Sequence, residues 1–154
     1  MKNIFAAVRE VAEQNKDVQI IFPMHKNPLI RDLARESFKG IEHKVALIEP
    51  LEYVDFANLM NKCYLIMTDS GGIQEEAPAL GKPVVVLRTE TERPEAVKAG
   101  TVKLAGIERN KIFEITNELV IDDLEYHKMA HAINPYGDGK ACERIVELIV
   151  KHFE

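Results

Sequence analysis

Four short runs of apolar residues place the strongest constraint on how this chain folds. They are Val18–Phe22, Val45–Ile48, Tyr64–Thr68 and Pro83–Leu87, and Thr101–Leu104 adds a shorter predicted strand. The four runs are apolar nearly throughout, which is typical of parallel strands covered on both faces. Segments with helical periodicity separate them. The pattern therefore predicts the α/β class, with a doubly wound, Rossmann-like parallel sheet and helices on both of its faces.

The predicted helices fill the intervals between the strands. They cover the opening segment to about Asn15, a segment entered through Pro28, Tyr53–Asn61, Ile73–Leu80, Pro94–Ala99, most of the chain after Asn110, and a final helix over about 140–152. Proline is favoured in the first turn of a helix, which fits the entry at Pro28. No linker or shift of composition divides the chain, so residues 1–154 are predicted to form a single domain.

Charge and cysteine content limit the classes of function. Twenty basic and 25 acidic residues give a net charge of −5, which disfavours a protein that binds nucleic acid by neutralising phosphates. Cys63 and Cys142 are too few and too far apart for a disulfide framework or a CxxC metal site. The opening residues Met1–Phe5 carry neither a signal-peptide run nor a membrane span. We therefore expect a cytoplasmic protein with no metal, no cofactor, and no nucleic-acid or membrane partner.

The segment Thr68–Glu76 is the strongest candidate for a binding site. It leaves a predicted strand, passes Ser70, Gly71 and Gly72, and enters a predicted helix. Glycines let a ligand approach the backbone closely, and the free N–H groups at a helix start favour an anion. The hydroxyl of Ser70 adds a donor. The segment is therefore either a phosphate site or a tight turn in which Ser70 serves as the N-cap of the helix.

Two carboxylates follow the glycines on the same predicted helix. Acidic residues in a first helical turn are common because they complement the helix dipole, and this reading needs no ligand. A carboxylate turned away from the phosphates has an alternative role, because it can accept both hydroxyls of a ribose, as in dinucleotide sites. Glu75 and Glu76 thus point to a nucleotide in preference to a bare phosphate.

Two other loops carry candidate residues. Arg93 follows the Val84–Leu87 strand and either clamps a phosphate or carboxylate with its planar guanidinium or forms a surface ion pair with Glu90 or Glu92. His25 follows the first predicted strand. It is suited to donate to a phosphate or to act as an acid or base. A lone histidine in a loop more often has a structural role, which spacing alone favours here.

These segments together resemble the non-hydrolysing UDP-N-acetylglucosamine 2-epimerases. The resemblance runs from Thr68 through Leu87 and on to Thr101, and it includes the motif His25-x-Asn27-Pro28 and the later motif Asn134–Ala141. Members of that family have two Rossmann-like halves in the glycosyltransferase-B arrangement, with the UDP-sugar between them. This chain is similar to the C-terminal half, and the resemblance covers essentially all of it.

The resemblance implies a set of ligand contacts. Ser70, Gly71 and Gly72 would bind the diphosphate of UDP or UDP-GlcNAc, and Glu76 would take the ribose hydroxyls. Arg93 would help to hold the nucleotide. The remaining implied contacts are Phe56 against the uracil ring, Leu51 beside the uracil through its backbone, and His25 in a second, regulatory UDP-GlcNAc site.

The resemblance also implies what lies outside this chain. The family inverts C2 of the sugar to give UDP-ManNAc, by eliminating UDP and adding it back, and its acid and base groups come from the N-terminal half. We therefore predict no catalytic residue here and no turnover by the isolated chain, with the other half either absent or supplied as a separate chain. The implied loss of the first strand would expose strand edges and favour a homo-oligomer. The donor-binding half of a UDP-sugar glycosyltransferase and a non-catalytic nucleotide-sugar module remain alternatives.

Overall fold

Helices and strands alternate along most of the chain in the computed structural model, which describes residues 1–153. The elements are α1 (Lys2–Gln14), β1 (Ile20–Pro23), α2 (Pro28–Ser37), β2 (Val45–Ile48), α3 (Tyr53–Lys62), β3 (Ile66–Thr68), α4 (Gly71–Ala79), β4 (Val84–Val86), α5 (Pro94–Ala99), β5 (Val102–Leu104), α6 (Arg109–Ile121), α7 (Asp123–Ala130) and α8 (Ala141–Phe153). All strand pairs are parallel. The predicted α/β class is confirmed.

The strands of residues 1–153 form two parallel sheets, and the unpaired edges of β1 and β3 agree with the expectation that the first strand of the sheet is missing. One sheet contains β1 and β2, and the other has the order β3-β4-β5. Ile20 of β1 is in register with Val45 of β2, and Ile66 of β3 with Val84 of β4. The sheets remain separate because no described strand lies between β1 and β3, and a cleft lined by both strands separates them.

The strand β4 is buried on both faces, as its uninterrupted run of valines predicts. Val84, Val85 and Val86 are all fully buried. Val85 packs in the larger core cluster, which includes residues of α1 and α6, whereas Val84 and Val86 pack with Ala77 of α4 and Ala96 of α5. Successive side chains of a strand point to opposite faces, so β4 has helices on both faces, as predicted.

Residues that favour the start or the end of a helix lie at the ends of several helices. Asn27 precedes α2, and its side-chain oxygen accepts a hydrogen bond from the N–H of Leu29 at 3.0 Å. Pro28 occupies the first position of that helix. Gly100 follows α5 with a φ of 81°, the left-handed conformation in which glycine has no steric penalty.

The last helix, α8, has no buried residue. Its apolar side chains are between 51% and 83% exposed. They are Ile145, Val146, Leu148, Ile149, Val150 and Phe153. The apolar side of α8 therefore has no partner among residues 1–153. None of the helices in this range is long and apolar enough to cross a membrane.

The core position of α6 gives a prediction about stability. Leu119 is fully buried in the larger core cluster, and Leu119→Ala removes its packing and leaves a cavity. We expect a loss of about 2–5 kcal/mol in the free energy of unfolding, measured by urea denaturation. Leu124→Ala is the matched control, because Leu124 is 77% exposed and the same change there should cost no more than about 0.5 kcal/mol. Equal losses in the two variants would contradict the assigned core.

Candidate functional site

The loop between β3 and α4 presents a serine hydroxyl that the protein itself does not use. Ser70 occupies the N-cap position of α4, but its side chain makes no capping hydrogen bond. The backbone N–H of Ser70 instead donates to the hydroxyl of Thr68 at 3.0 Å. Ser70 is thus the N-cap residue of α4, as the alternative interpretation holds, although its side chain does not bond to the helix. Its hydroxyl is free to contact a ligand at the start of the helix.

Two glycines form the first turn of α4, and nothing in the described structure requires them there. Neither has a positive φ. A Cβ atom at Gly71 would meet no atom within 4 Å, and one at Gly72 would meet only the Glu76 carboxylate oxygen at 3.7 Å. A ligand can therefore approach the backbone N–H groups at the start of α4 closely.

A buried glutamine fastens this loop to the next one. Gln74 is only 1% exposed, and its amide donates to the carbonyl of Ser70 at 3.2 Å. Its side-chain oxygen accepts a hydrogen bond from the hydroxyl of Thr91 at 2.6 Å. The same hydroxyl accepts from the N–H of Arg93 at 3.1 Å. Sequence reasoning missed Gln74, although a polar residue beside Ala77 on the buried face of a helix is a usable signal.

Arg93 forms its ion pair with Glu75, not with the carboxylate of Glu90 or Glu92 that the sequence suggested. Its Nε group donates to a carboxylate oxygen of Glu75, and a terminal nitrogen donates to the carbonyl of Glu92 at 3.1 Å. The hydrogen bond that Arg93 donates to Glu75, together with the negative charge of that carboxylate, raises the pKa of Arg93. Arg93 therefore stays charged, and it lies beside α4.

The second carboxylate of α4 has a different partner. The hydroxyl of Tyr53, at the start of α3, donates to Glu76 at 3.1 Å. This hydrogen bond raises the pKa of Tyr53, because the carboxylate stabilises the protonated phenol. The two residues line a shallow pocket of about 230 Å³ together with Ala57, Met60, Ala79 and Leu80. Sequence reasoning did not identify Tyr53, since nothing local indicates which carboxylate it faces.

The remaining candidate residues lie at three places. Phe56 of α3 and Ser70 both border the cleft between the two sheets. Leu51 is partly exposed in the segment before α3. His25 follows β1, and its Nδ1 accepts a hydrogen bond from the N–H of Asn27 at 3.1 Å. Within residues 1–153 no hydrogen bond joins His25 to the β3–α4 loop.

The arrangement at α4 combines two kinds of group on one helix. Free N–H groups and the hydroxyl of Ser70 lie at its start, where an anion is favoured. The carboxylate of Glu76 is four residues beyond Gly72, about 6 Å along the axis, and accepts hydrogen bonds from hydroxyl groups. This geometry can bind a ligand that carries both an anionic group and hydroxyls.

Comparisons with known proteins identify the family to which this chain is similar. The model of the family described as UDP-N-acetylglucosamine 2-epimerase matches residues 1–150. A UDP-N-acetylglucosamine 2-epimerase of Bacillus subtilis is 52% identical over 153 residues, which are 99% of this chain and 40% of that protein. A corresponding enzyme of Escherichia coli K12 is 49% identical over 96% of this chain and 39% of its own length.

Solved structures show the same relationship. The crystal structure of the Neisseria meningitidis UDP-GlcNAc 2-epimerase bound to UDP-GlcNAc matches with a TM-score of 0.92 and 48% identity, over 98% of this chain and 41% of that one. The structure of the Methanocaldococcus jannaschii enzyme in complex with UDP-GlcNAc and UDP matches with a TM-score of 0.76 and 35% identity, over 97% of this chain and 40% of that one. This chain spans about 40% of the length of such relatives. It belongs to the UDP-N-acetylglucosamine 2-epimerase family and corresponds to the C-terminal half of its members.

Proposed function

We propose that this chain is the UDP-binding half of a UDP-GlcNAc 2-epimerase. The observation that carries the proposal is the start of α4, where an uncommitted hydroxyl and two glycines leave anion-binding N–H groups open. The diphosphate of UDP-GlcNAc would bind at Ser70, Gly71 and Gly72. The chain's similarity to enzymes solved with UDP-GlcNAc bound supports this substrate class.

The nucleoside would extend from the diphosphate toward α3. We assign the ribose hydroxyls to Glu76, because Glu75 is ion-paired with Arg93 whereas Glu76 accepts one neutral hydrogen bond, from Tyr53, and can accept more. In this arrangement Arg93 would help to hold the nucleotide, and Glu75 would keep the guanidinium of Arg93 in place. Phe56 would contact the uracil ring, and the backbone near Leu51 would recognise its edge.

His25 is proposed for a second, regulatory UDP-GlcNAc site. Its Nδ1 accepts a hydrogen bond from Asn27, so the neutral ring carries its proton on Nε2. That nitrogen can donate to a phosphate oxygen. The position of His25 after β1, without a hydrogen bond to the β3–α4 loop in the described residues, supports a site separate from the first one.

The acid and base groups for inversion at C2 belong to the other half of the enzyme in this proposal. Neither Ser70 nor Glu76 is needed for proton transfer at the sugar. The complete enzyme would be a cytoplasmic homo-oligomer that makes UDP-ManNAc for cell-surface polysaccharides. The N-terminal half would be joined to this chain or supplied separately.

Binding of UDP tests the role of Ser70. We expect Ser70→Ala to weaken UDP binding about tenfold or more in calorimetry, because a hydrogen bond to a charged group is worth about 1.5–3 kcal/mol. Its melting temperature should not change, since the hydroxyl caps nothing. The matched control is Asp122→Ala at the N-cap of α7, where the side chain accepts from the N–H groups of Leu124 and Glu125.

The control should show the opposite pattern. Asp122→Ala removes a true cap, which costs about 1 kcal/mol of stability, and it should leave UDP affinity intact. The assignment of the diphosphate to the start of α4 fails if both variants bind UDP like the parent chain.

The ribose assignment predicts a preference that depends on Glu76. The parent chain should bind UDP more tightly than 2′-deoxy-UDP, and Glu76→Gln should reduce this preference several-fold, because a carboxylate accepts from both hydroxyls more strongly than an amide. Calorimetry with both nucleotides measures it. Glu75→Gln makes the same chemical change one residue earlier and should retain the preference; loss of preference in that variant alone would reverse the assignment.

Activity tests the assignment of catalysis to the other half. The purified chain incubated with UDP-GlcNAc in D2O should give no UDP-ManNAc and no deuterium at C2 by NMR, because no acid or base for that carbon is proposed here. The Bacillus subtilis relative serves as the positive control. Turnover by this chain above the enzyme-free rate would place a catalytic residue within it.

A further inference from the structure

The loop that carries Arg93 depends on α4 for its position. Residues 87–93 connect β4 to α5 and contain no helix or strand of their own. Within residues 1–153, the hydrogen bonds that this loop donates to other elements end on Thr68 of β3 and on Gln74 and Glu75 of α4. The bond to Thr68 lies at the first residue of the loop, so α4 alone holds the part that leads to Arg93.

The surroundings of Gln74 fix which way its amide points. Its Nε2 lies 3.2 Å from the carbonyl oxygen of Ser70, and its Oε1 lies 2.6 Å from the hydroxyl of Thr91. A carbonyl only accepts hydrogen bonds, so the NH2 group faces Ser70 and the amide oxygen faces Thr91. The hydroxyl of Thr91 therefore donates its one hydrogen to Gln74, and its lone pairs accept from the N–H of Arg93 at 3.1 Å.

These contacts form one continuous hydrogen-bond chain, in which Arg93 donates to Thr91, Thr91 to Gln74, and Gln74 to Ser70. Bonds that run in one direction polarise and strengthen one another. Gln74 is only 1% exposed, and a buried polar group that loses its partner pays the cost of desolvation. One buried side chain thus sets the spacing between the β3–α4 loop and the β4–α5 loop.

At one end, the hydrogen-bond chain orients a backbone donor. The peptide bond between Ser70 and Gly71 is trans and planar, so its C=O and N–H groups point in opposite directions. Because the carbonyl of Ser70 faces the buried Gln74, the N–H of Gly71 points away from it. A Cβ atom on Gly71 would meet no atom within 4 Å, so the space beside this N–H is open.

At the other end, α4 holds Arg93 at two points. Gln74 holds its backbone N–H through Thr91, and Glu75, the next residue of α4, accepts from its Nε. Its Nη1 donates to the carbonyl of Glu92 at 3.1 Å, whereas its Nη2 donates to no group within residues 1–153. A planar guanidinium held in this way presents its free N–H groups in a fixed direction, which suits a phosphate oxygen.

We propose that Gln74 is a positioning residue of the nucleotide site and gives it a preference for a diphosphate over a monophosphate. Through Thr91 it sets the position of Arg93 relative to the N–H of Gly71, so that these two donors bind adjacent phosphates of one ligand. A monophosphate engages one donor and gains nothing from their spacing. The inference rests on the proposed function and adds a specificity-determining residue that acts only through its neighbours.

Paired variants of Thr91 test this link. Thr91→Val nearly keeps the shape of the side chain and removes the hydroxyl, whereas Thr91→Ser keeps the hydroxyl. In calorimetry the parent chain should bind UDP more tightly than UMP. We expect Thr91→Val to weaken UDP binding about tenfold and UMP binding less than about threefold, because only the diphosphate needs both loops. Thr91→Ser should retain the preference of the parent chain.

A double-mutant cycle shows whether the hydroxyl of Thr91 acts through Arg93. In an Arg93→Gln background, Thr91→Val should weaken UDP binding less than about twofold, because the group that it positions is already gone. In the parent background, Gln74→Met breaks the hydrogen-bond chain at both ends and should weaken UDP binding more than Thr91→Val does. Gln14→Met makes the same change at an exposed residue of α1 and should leave UDP affinity unchanged.

Two results would overturn the inference alone. One is an unchanged preference for UDP over UMP in Thr91→Val, and the other is an equal loss of UDP affinity from Thr91→Val with and without Arg93. The Thr91 variants decide the question even if Gln74→Met unfolds the chain. Failure of the parent chain to bind either nucleotide is a different outcome, because it would overturn the proposed function and this inference with it.

Discussion

Burial of β4 on both faces is the interaction on which the rest of the molecule depends. Its three valines contact one core cluster on each side, so the layers of helices are held by one short strand. Because β3 and β5 pair with β4 in parallel, the loops that follow β3 and β4 emerge at the same edge. The amide of Gln74 then ties these loops together through Ser70 and Thr91. The proposed nucleotide site is thus a consequence of strand packing.

Sequence reasoning succeeded where the signal is local. A strand followed by Ser70, Gly71 and Gly72 at the start of a helix is visible within a few residues, and the structure contains that arrangement. The pairing of strands is not local. Periodicity predicts that a segment is a strand but not which neighbour it meets, so the exposed strand edges were expected only from the family resemblance, which implied a missing first strand.

Sequence reasoning also did not identify the partners of the charged groups. Glu75 and Glu76 are adjacent, and successive helical residues are rotated by about 100° around the axis. One carboxylate therefore faces Arg93 after β4, and the other faces Tyr53 on α3. Neither contact follows from spacing, because both join residues about 20 positions apart through the tertiary fold. Adjacent identical residues thus have different neighbours and are assigned different roles.

The exposed helix α8 has a consequence for local stability. Among residues 1–153, the 13-residue helix α8 has no buried side chain, and besides its own hydrogen bonds it has contacts such as the ion pair of Arg144 with Asp138. Helices of this length are marginal in water when isolated. We therefore expect α8 to open at a much lower free energy than the buried strand β4. The C-terminal end is the part of the molecule whose order depends most on what it contacts.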